Sequence, residues 1–283
     1  MAVKVTVIGA SGFVGRHLLD ALRARGDQVT SASLRDPRAA AQACAGAEAV
    51  VNLAGEPVAQ RWTPEVKEKI RSSRVAGPRA LLAHIAGLET RPPAYVSASA
   101  IGYYGTSESE TFTEASPAAH DFLGEACAAW EAEADRAAEL GMRVAKVRTG
   151  LVLGTDGGAL AKLLPPFRLG AGGIIGSGQQ WYSWIHIDDL AALYLHALDG
   201  ASGALNGTAP NPVRNVEFTH ALGKALHRPT VLPVPKVALE LLLGEGASVV
   251  YEGQRVLPKR TLESGFRFRY ETLDAALAQL LGG

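Results

Sequence analysis

Three glycines at a spacing of three, Gly9, Gly12 and Gly15, separate a short apolar run from a helical one in the segment Gly9-Ala10-Ser11-Gly12-Phe13-Val14-Gly15. Each has a task in holding a pyrophosphate. Gly9 allows a tight turn after a strand, Gly12 lets the backbone approach phosphate oxygens, and Gly15 lets the following helix pack closely on that strand. The helix start then offers unpaired N–H groups and the positive end of its dipole to the anion, which brings Ser11, Phe13 and Val14 into the candidate site. A second group, Ser31, Ser33, Arg35 and Asp36, follows the next strand candidate. A basic residue at such a position neutralises the 2′-phosphate of NADP, whereas an acidic one binds the free ribose 2′-hydroxyl of NAD. Arg35 therefore points to NADP(H) ahead of NAD(H), with Asp36 on the ribose as the competing reading. A third group, Leu53, Ala54, Gly55 and Glu56, ends the third strand candidate, where small residues let the chain pass close to the ribose and nicotinamide end.

The elements that must position these groups show in the hydrophobic periodicity. Runs at 3–8, 28–33, 49–53, 94–97 and 143–147 read as strands, while 13–25, 64–86 and 118–140 carry apolar residues at helical spacing. Thr63 ahead of Pro64 is a helix start, with a capping hydroxyl and a proline at the first helical position. Strands alternating with helices imply βαβ units and a parallel sheet covered on both faces. Beyond about residue 150 glycine and proline punctuate a helix near 160–169, a strand–helix unit at 182–198, a strand near 204–208 and a closing helix at 273–281. The fold class is α/β, a Rossmann-type doubly wound parallel sheet with a smaller C-terminal α+β lobe. Residues 1–230 form the dinucleotide-binding domain, with part of a substrate lobe inserted near 155–180, and 231–283 form a small C-terminal domain that completes the lobe.

Hydrophobic residues make up 47% of the 283 and charged ones 20%, which excludes disordered, collagen-like and coiled-coil character. Lys plus Arg and Asp plus Glu each number 28, so no global field draws the chain to nucleic acid or an anionic membrane. No aromatic-interleaved basic motif supports RNA or DNA as a partner. In the tail, Arg255, Lys259, Arg260, Arg267 and Arg269 face a single acid, Glu263. They read equally as a rim for a substrate phosphate or carboxylate and as a solvated face. Cys44 and Cys127 read as free thiols of a reducing compartment, and the seven histidines show no grouping that would hold a metal. A strand at 3–8 leaves no room for a signal peptide, and no apolar stretch approaches the roughly 18 residues of a membrane span. The expectation is a cytoplasmic protein without membrane or nucleic-acid partners, taking a small-molecule substrate, with a homodimer expected through 64–86 and 118–140.

The spacing G-x-x-G-x-x-G resembles that of the short-chain dehydrogenases/reductases. Val50-Val51-Asn52-Leu53-Ala54-Gly55-Glu56-Pro57, Ser97-Ala98-Ser99-Ala100-Ile101-Gly102-Tyr103-Tyr104-Gly105 and Trp184-Ile185-His186-Ile187-Asp188-Asp189 are similar to the extended branch. Together with Arg61-Trp62-Thr63, Ser73-Arg74, Arg148-Thr149-Gly150 and the tail Gly253-Gln254-Arg255-Val256-Leu257-Pro258-Lys259-Arg260, they resemble the atypical "epimerase family" proteins (NAD-dependent epimerase/dehydratase-like) with a C-terminal domain of unknown function. The resemblance spans essentially the whole chain. It implies a Rossmann domain binding NADP(H) and does not by itself supply a reaction.

Typical members of the superfamily carry Tyr-x-x-x-Lys on one helix, where four-residue spacing sets the ammonium beside the phenol and readies it for proton transfer. Here no tyrosine has a lysine four residues on. In the expected helix, Ala126 stands in the tyrosine's place and Trp130 in the lysine's. The serine arm survives as Ser97 or Ser99. Tyr103 and Tyr104, at the rim beyond the fourth strand, are the candidate proton donors, with Cys127, Glu131 and His186 as weaker substitutes. Two functions fit: an NADP(H)-dependent oxidoreductase or epimerase acting on a small carbonyl or hydroxyl compound, and a non-catalytic NADP(H)-binding sensor that reports to a partner.

Overall fold

The alternating pattern does build a parallel sheet. The computed structural model describes residues 2–282. In chain order the strands are β1 (Lys4–Ile8), β2 (Gln28–Ala32), β3 (Ala49–Asn52), β4 (Ala94–Ala100), β5 (Thr111–Phe112) and β6 (Arg143–Thr149). There follow β7 (Leu151–Leu153), β8 (Trp181–Tyr182), β9 (Trp184–His186), β10 (Gly203–Gly207), β11 (Val213–Arg214) and β12 (Arg255–Val256). The helices that matter here are α1 (Phe13–Arg25), α2 (Pro37–Ala43), α3 (Pro64–Ile85), α4 (Phe122–Glu139), α5 (Gly158–Arg168), α6 (Ile187–Leu198), α7 (Asn215–Ala225) and α8 (Lys236–Leu243).

Six strands form the main sheet in the order β10-β6-β4-β3-β1-β2, all parallel. From β1 the chain steps outward to β2 and then crosses back to β3 on the other side. The strand order therefore reverses between β1 and β3, and loops leaving those two strands must diverge at their C-terminal ends. Such a crevice is where ligands settle in open α/β sheets. β2 is the edge strand and correspondingly half exposed, whereas β3 is buried along its whole length.

Both faces are covered. Leu18 and Leu22 of α1 and Leu190, Leu193 and Tyr194 of α6 pack on Val5, Val7, Val51, Val96 and Val147. On the other face Ala40 and Ala41 of α2, Leu81, Leu82 and Ile85 of α3 and Ala134 and Ala137 of α4 pack on Ile8, Val50 and Tyr95. Thr63 caps α3 by accepting from Val66 N, with Pro64 at the first helical position. The helix expected from 118 begins instead at Phe122, because Asp121 Oδ1 takes Gly124 N at 2.7 Å while Ala119 N is drawn off to Tyr103 O at 2.8 Å. α2 has no counterpart in the sequence reading. Its run of small alanines shows no apolar stripe, and only the Asp36-Pro37 start marks it.

The C-terminal region is joined to the preceding chain by a small two-stranded sheet of its own. β12 pairs in parallel with β5, Arg255 opposite Thr111 and Val256 opposite Phe112. Ser183 Oγ donates to Gln254 O at 2.8 Å and accepts from Val256 N at 2.9 Å. α8, by contrast, has no buried residue, and Leu169, Val231, Leu232, Val237, Leu241 and Leu242 are large apolar side chains left exposed. Among the described residues no helix is long and apolar enough to cross a membrane, and no group of three His, Cys, Asp or Glu could hold a metal ion.

Candidate functional site

The turn after β1 is made by Gly9, whose φ of +81° lies in the left-handed region that favours glycine. A Cβ there would stand 3.0 Å from Ala54 N, so the turns after β1 and β3 press together at the reversal point. Gly15 brings α1 onto that turn: a Cβ would lie 2.5 Å from Gly9 O and 2.7 Å from Ala10 O. Gly12 is the N-cap of α1, and no side chain caps the helix. The amides of Phe13, Val14 and Gly15 thus have no intrahelical carbonyl and face the crevice start, with Ser11 exposed on the same turn. This cradle of N–H groups fits a pyrophosphate. The glycine loop after β7 backs it: Asp156 accepts from Arg16 Nη2 at 3.2 Å and lies 3.0 Å from His17 Nε2.

On the β2 side, the two rivals for the ribose separate. Asp36 Oδ1 accepts from Ala39 N at 2.9 Å and so caps α2. Arg35 is exposed beside it, with its N–H on Ser33 Oγ at 3.3 Å. Asp36→Ala is expected to cost about 1 kcal/mol of stability through the lost cap and to leave the choice between the two dinucleotides unchanged. A urea unfolding curve beside a nucleotide titration checks both halves.

On the β3 side, Asn52 shapes the turn, accepting Ala54 N at 3.1 Å and donating to Tyr95 OH at 3.0 Å. α3 holds the rest of Leu53–Glu56 from behind: Glu56 N donates to Ser73 Oγ at 3.0 Å, and Arg74 Nη1 donates to Glu56 O at 3.0 Å. The Arg74 guanidinium carbon lies 4.8 Å from the centroid of the Trp130 ring. Trp130 Nε1 is buried with no hydrogen-bond partner.

Around β4 the candidate catalytic residues divide. Tyr95, Ser97 and Ser99 alternate onto one face of β4, and Ser97 and Ser99 lie opposite Lys146 and Arg148 of β6. Ser97 Oγ donates to Ala98 O at 2.9 Å, and Ser99 Oγ donates to Glu131 Oε1 at 2.7 Å. Glu131 in turn receives Arg148 in a fork, Nε to Oε1 at 2.7 Å and Nη2 to Oε2 at 2.8 Å. Arg148 Nη1 donates to Tyr104 OH at 2.8 Å, and Tyr104 OH donates to Asn206 Oδ1 at 2.7 Å. The Tyr104 phenol is pushed up to about 12 by burial, against the pull of Arg148. Both of its hydrogen-bonding roles are taken, so it holds the network together. Tyr103 differs: it is half-buried, its ring lies 3.5 Å from the Arg148 guanidinium carbon, and its hydroxyl is not drawn into that network.

Of the weaker substitutes, Cys127 is buried, and its thiol is pushed up to about 12 chiefly by desolvation. A thiol so raised is a poor acid, base or nucleophile near neutrality. His186 caps α6 by accepting Asp188 N at 3.0 Å, meets Gln279 Oε1 at 2.8 Å and stacks on Tyr270, which ties it to the closing helix. The basic tail is dispersed. Arg255 lies over Trp181, Arg260 Nη2 reaches Ser202 O, and Arg269 N and Tyr270 N both donate to Asp189. What the sequence reading missed is the pairings, Arg148 with Glu131 and Arg74 with Trp130. A charged residue on the same strand face as Ser99 is the one signal that could have raised the first.

A dinucleotide crevice at a β1/β3 reversal, with a glycine cradle after β1, defines a Rossmann-type protein of the short-chain dehydrogenase/reductase kind. Residues 5–209 match the model of the NAD dependent epimerase/dehydratase family, and residues 234–280 match a domain of unknown function, DUF1731. The chain belongs to that epimerase/dehydratase family. It is 46% identical over 99% of its length to "Epimerase family protein SDR39U1 homolog, chloroplastic" of Arabidopsis thaliana, covering 87% of that protein. It is 37% identical to "Epimerase family protein YfhF" of Bacillus subtilis, covering 99% of this chain and 98% of that one. The crystal structure of human epimerase family protein SDR39U1 (isoform 2) with NADPH superposes with a TM-score of 0.92 at 35% identity, covering 99% of each chain.

Proposed function

We propose that this chain is an NADP(H)-dependent oxidoreductase or epimerase-type enzyme acting on a small carbonyl or hydroxyl compound. The observation that carries the reading is the Tyr103 side chain, half-buried at the end of β4 with its ring 3.5 Å from the Arg148 guanidinium carbon. Among the described residues, the Tyr103 hydroxyl stands apart from the hydrogen bonds that engage Tyr104. NADP(H) is supported by Asp36 being occupied as a helix cap beside an exposed Arg35, and by the NADPH in the human relative's structure.

In this reading Gly9, Ser11, Gly12, Phe13, Val14 and Gly15 hold the pyrophosphate, Arg35 the 2′-phosphate, and Leu53, Ala54, Gly55 and Glu56 the ribose of the nicotinamide half. Bound NADPH supplies hydride. Tyr103 delivers the proton to the oxygen that develops negative charge, and Arg148 steadies the phenol's anionic state from above the ring. Ser99 acts by holding Glu131, which in turn fixes Arg148; Ser97 backs the same strand end. Residues 1–230 carry the cofactor, and 231–283 with the segment near 155–180 close over the substrate.

A second reading has one observation in its favour. The apolar side chains exposed on and around α8 form the kind of patch a partner-binding sensor, or a homodimer, would cover. Titration of the protein with NADPH and NADH, beside Arg35→Ala, followed by a carbonyl screen on NADPH oxidation, separates the readings. Wild type is expected to prefer NADPH, and the substitution to erase about 10- to 100-fold of that preference through lost charge-assisted hydrogen bonds. Tight NADPH binding with no turnover on any carbonyl would move the sensor to the front. Preference for NADH would sink the Arg35 assignment.

A further inference from the structure

A guanidinium taken out of water needs a compensating charge or a reason to lack one. Arg74 lacks one. Its residue is 8% exposed, and among the described residues it enters no ion pair. Its Nη1 donates to Glu56 O at 3.0 Å, to Ile70 O at 3.1 Å and to Ser73 Oγ at 3.5 Å, all neutral acceptors. These contacts fix the group in place without cancelling its charge. Burial pulls its pKa below the ordinary arginine value, with Cys127 and Glu56 acting the other way. The buried Trp130 ring supports it on one side at 4.8 Å. The backbone of the turn after β3 also lies against it: a Cβ on Gly55 would stand 3.4 Å from both the guanidinium carbon and Nη2.

The position of that turn gives the charge a meaning. With a pyrophosphate held at the start of α1 and a 2′-phosphate at Arg35 beside β2, the nicotinamide half of a bound dinucleotide would extend across the reversal toward β3 and β4. Arg74 then lies behind the turn that faces the nicotinamide half. The oxidised and reduced cofactors carry the same phosphates and differ by one positive charge on that ring. A fixed cation close to the ring raises the energy of the oxidised form alone, and the low polarisability of the surroundings strengthens the effect. A cation serving the phosphates would act on both forms alike.

We propose that Arg74 makes this chain selective for the reduced cofactor, its uncancelled charge behind Gly55 weakening NADP+ relative to NADPH. The inference rests on the cofactor reading above and adds the redox state that the site prefers. Trp130 is a positioning residue in this account, since its ring face holds the guanidinium against the turn.

The test is calorimetric titration of wild type, Arg74→Gln and Arg74→Lys with NADPH and with NADP+. Wild type is expected to bind NADPH about tenfold or more tightly than NADP+. Arg74→Gln keeps a donor for Glu56 O and removes the charge, so the two affinities should converge, while Arg74→Lys should retain the ratio. A wild-type ratio near one, or equal losses for both nucleotides in Arg74→Gln, overturns the proposal while leaving the cofactor reading intact. Failure of wild type to bind either nucleotide overturns both. Circular dichroism checks that Arg74→Gln folds. Should it not, Trp130→Leu removes the ring that anchors the guanidinium; a reduced ratio there supports the proposal, and an unchanged one counts against it.

Discussion

Arg148→Met is expected to destabilise the protein by about 3–5 kcal/mol, the usual cost of removing one partner from a buried ion pair. The side chains of Arg148 and Glu131 are only 5% and 6% exposed, and the pair is bidentate. Burial works against the guanidinium's charge, but the Glu131 carboxylate outweighs it, so Arg148 stays protonated. Without it Glu131 keeps the Ser99 hydroxyl as a donor, with Lys146 4.0 Å away and itself engaged by Asp135 at 2.7 Å. Tyr104 loses a donor at the same time. The double substitution Glu131→Leu with Arg148→Met removes both charges and should recover much of the loss, because apolar replacement of a whole buried pair is often neutral. Urea unfolding of the two single variants and the double one measures the coupling. A loss under 1 kcal/mol for Arg148→Met would show that the fork does not matter for stability.

The same network explains which parts of the molecule could be read from residue order. β1, α1 and β3 follow from local rules: a β-branched run, glycines at fixed spacing and an apolar stripe, each satisfied within a few residues. Thr63 and Pro64 mark the start of α3 for the same reason, since a cap needs only its own next turn. The glycine cradle was legible because its chemistry is backbone chemistry. Arg74 and Trp130 sit on different helices and Glu131 and Arg148 on a helix and a strand, so spacing along the chain does not pair them. Arg148 reads as a charged residue at the end of a strand, and only the register of Ser99 opposite it turns it inward onto α4. Type and spacing favour Arg35 over Asp36 at the adenosine end without deciding between them. That Asp36 caps α2 does not show in the sequence, because this helix has too little apolar contrast to announce itself.

Tyr103→Phe should lower kcat of the proposed reaction by about 10²- to 10⁴-fold, the range that a positioned proton donor contributes, with NADPH binding unchanged. The other candidate groups are held by their surroundings in states unsuited to proton delivery. Tyr104 sits in a network that uses its oxygen as both donor and acceptor, and burial holds its proton on. The Cys127 thiol is raised out of the useful range, and Ser99 is committed to Glu131. Tyr103 shares the short turn Ile101–Tyr104 at the end of β4 with Tyr104, yet its ring lies face-on to Arg148 at 3.5 Å. A cation above a phenol stabilises negative charge developing on it, which is what proton delivery demands. That link makes a sharper test than loss of rate alone. In Arg148→Lys, which keeps a charge but loses the planar stack and the fork, kcat should fall while KM moves little. An active Tyr103→Phe enzyme with wild-type kcat would remove Tyr103 as the donor.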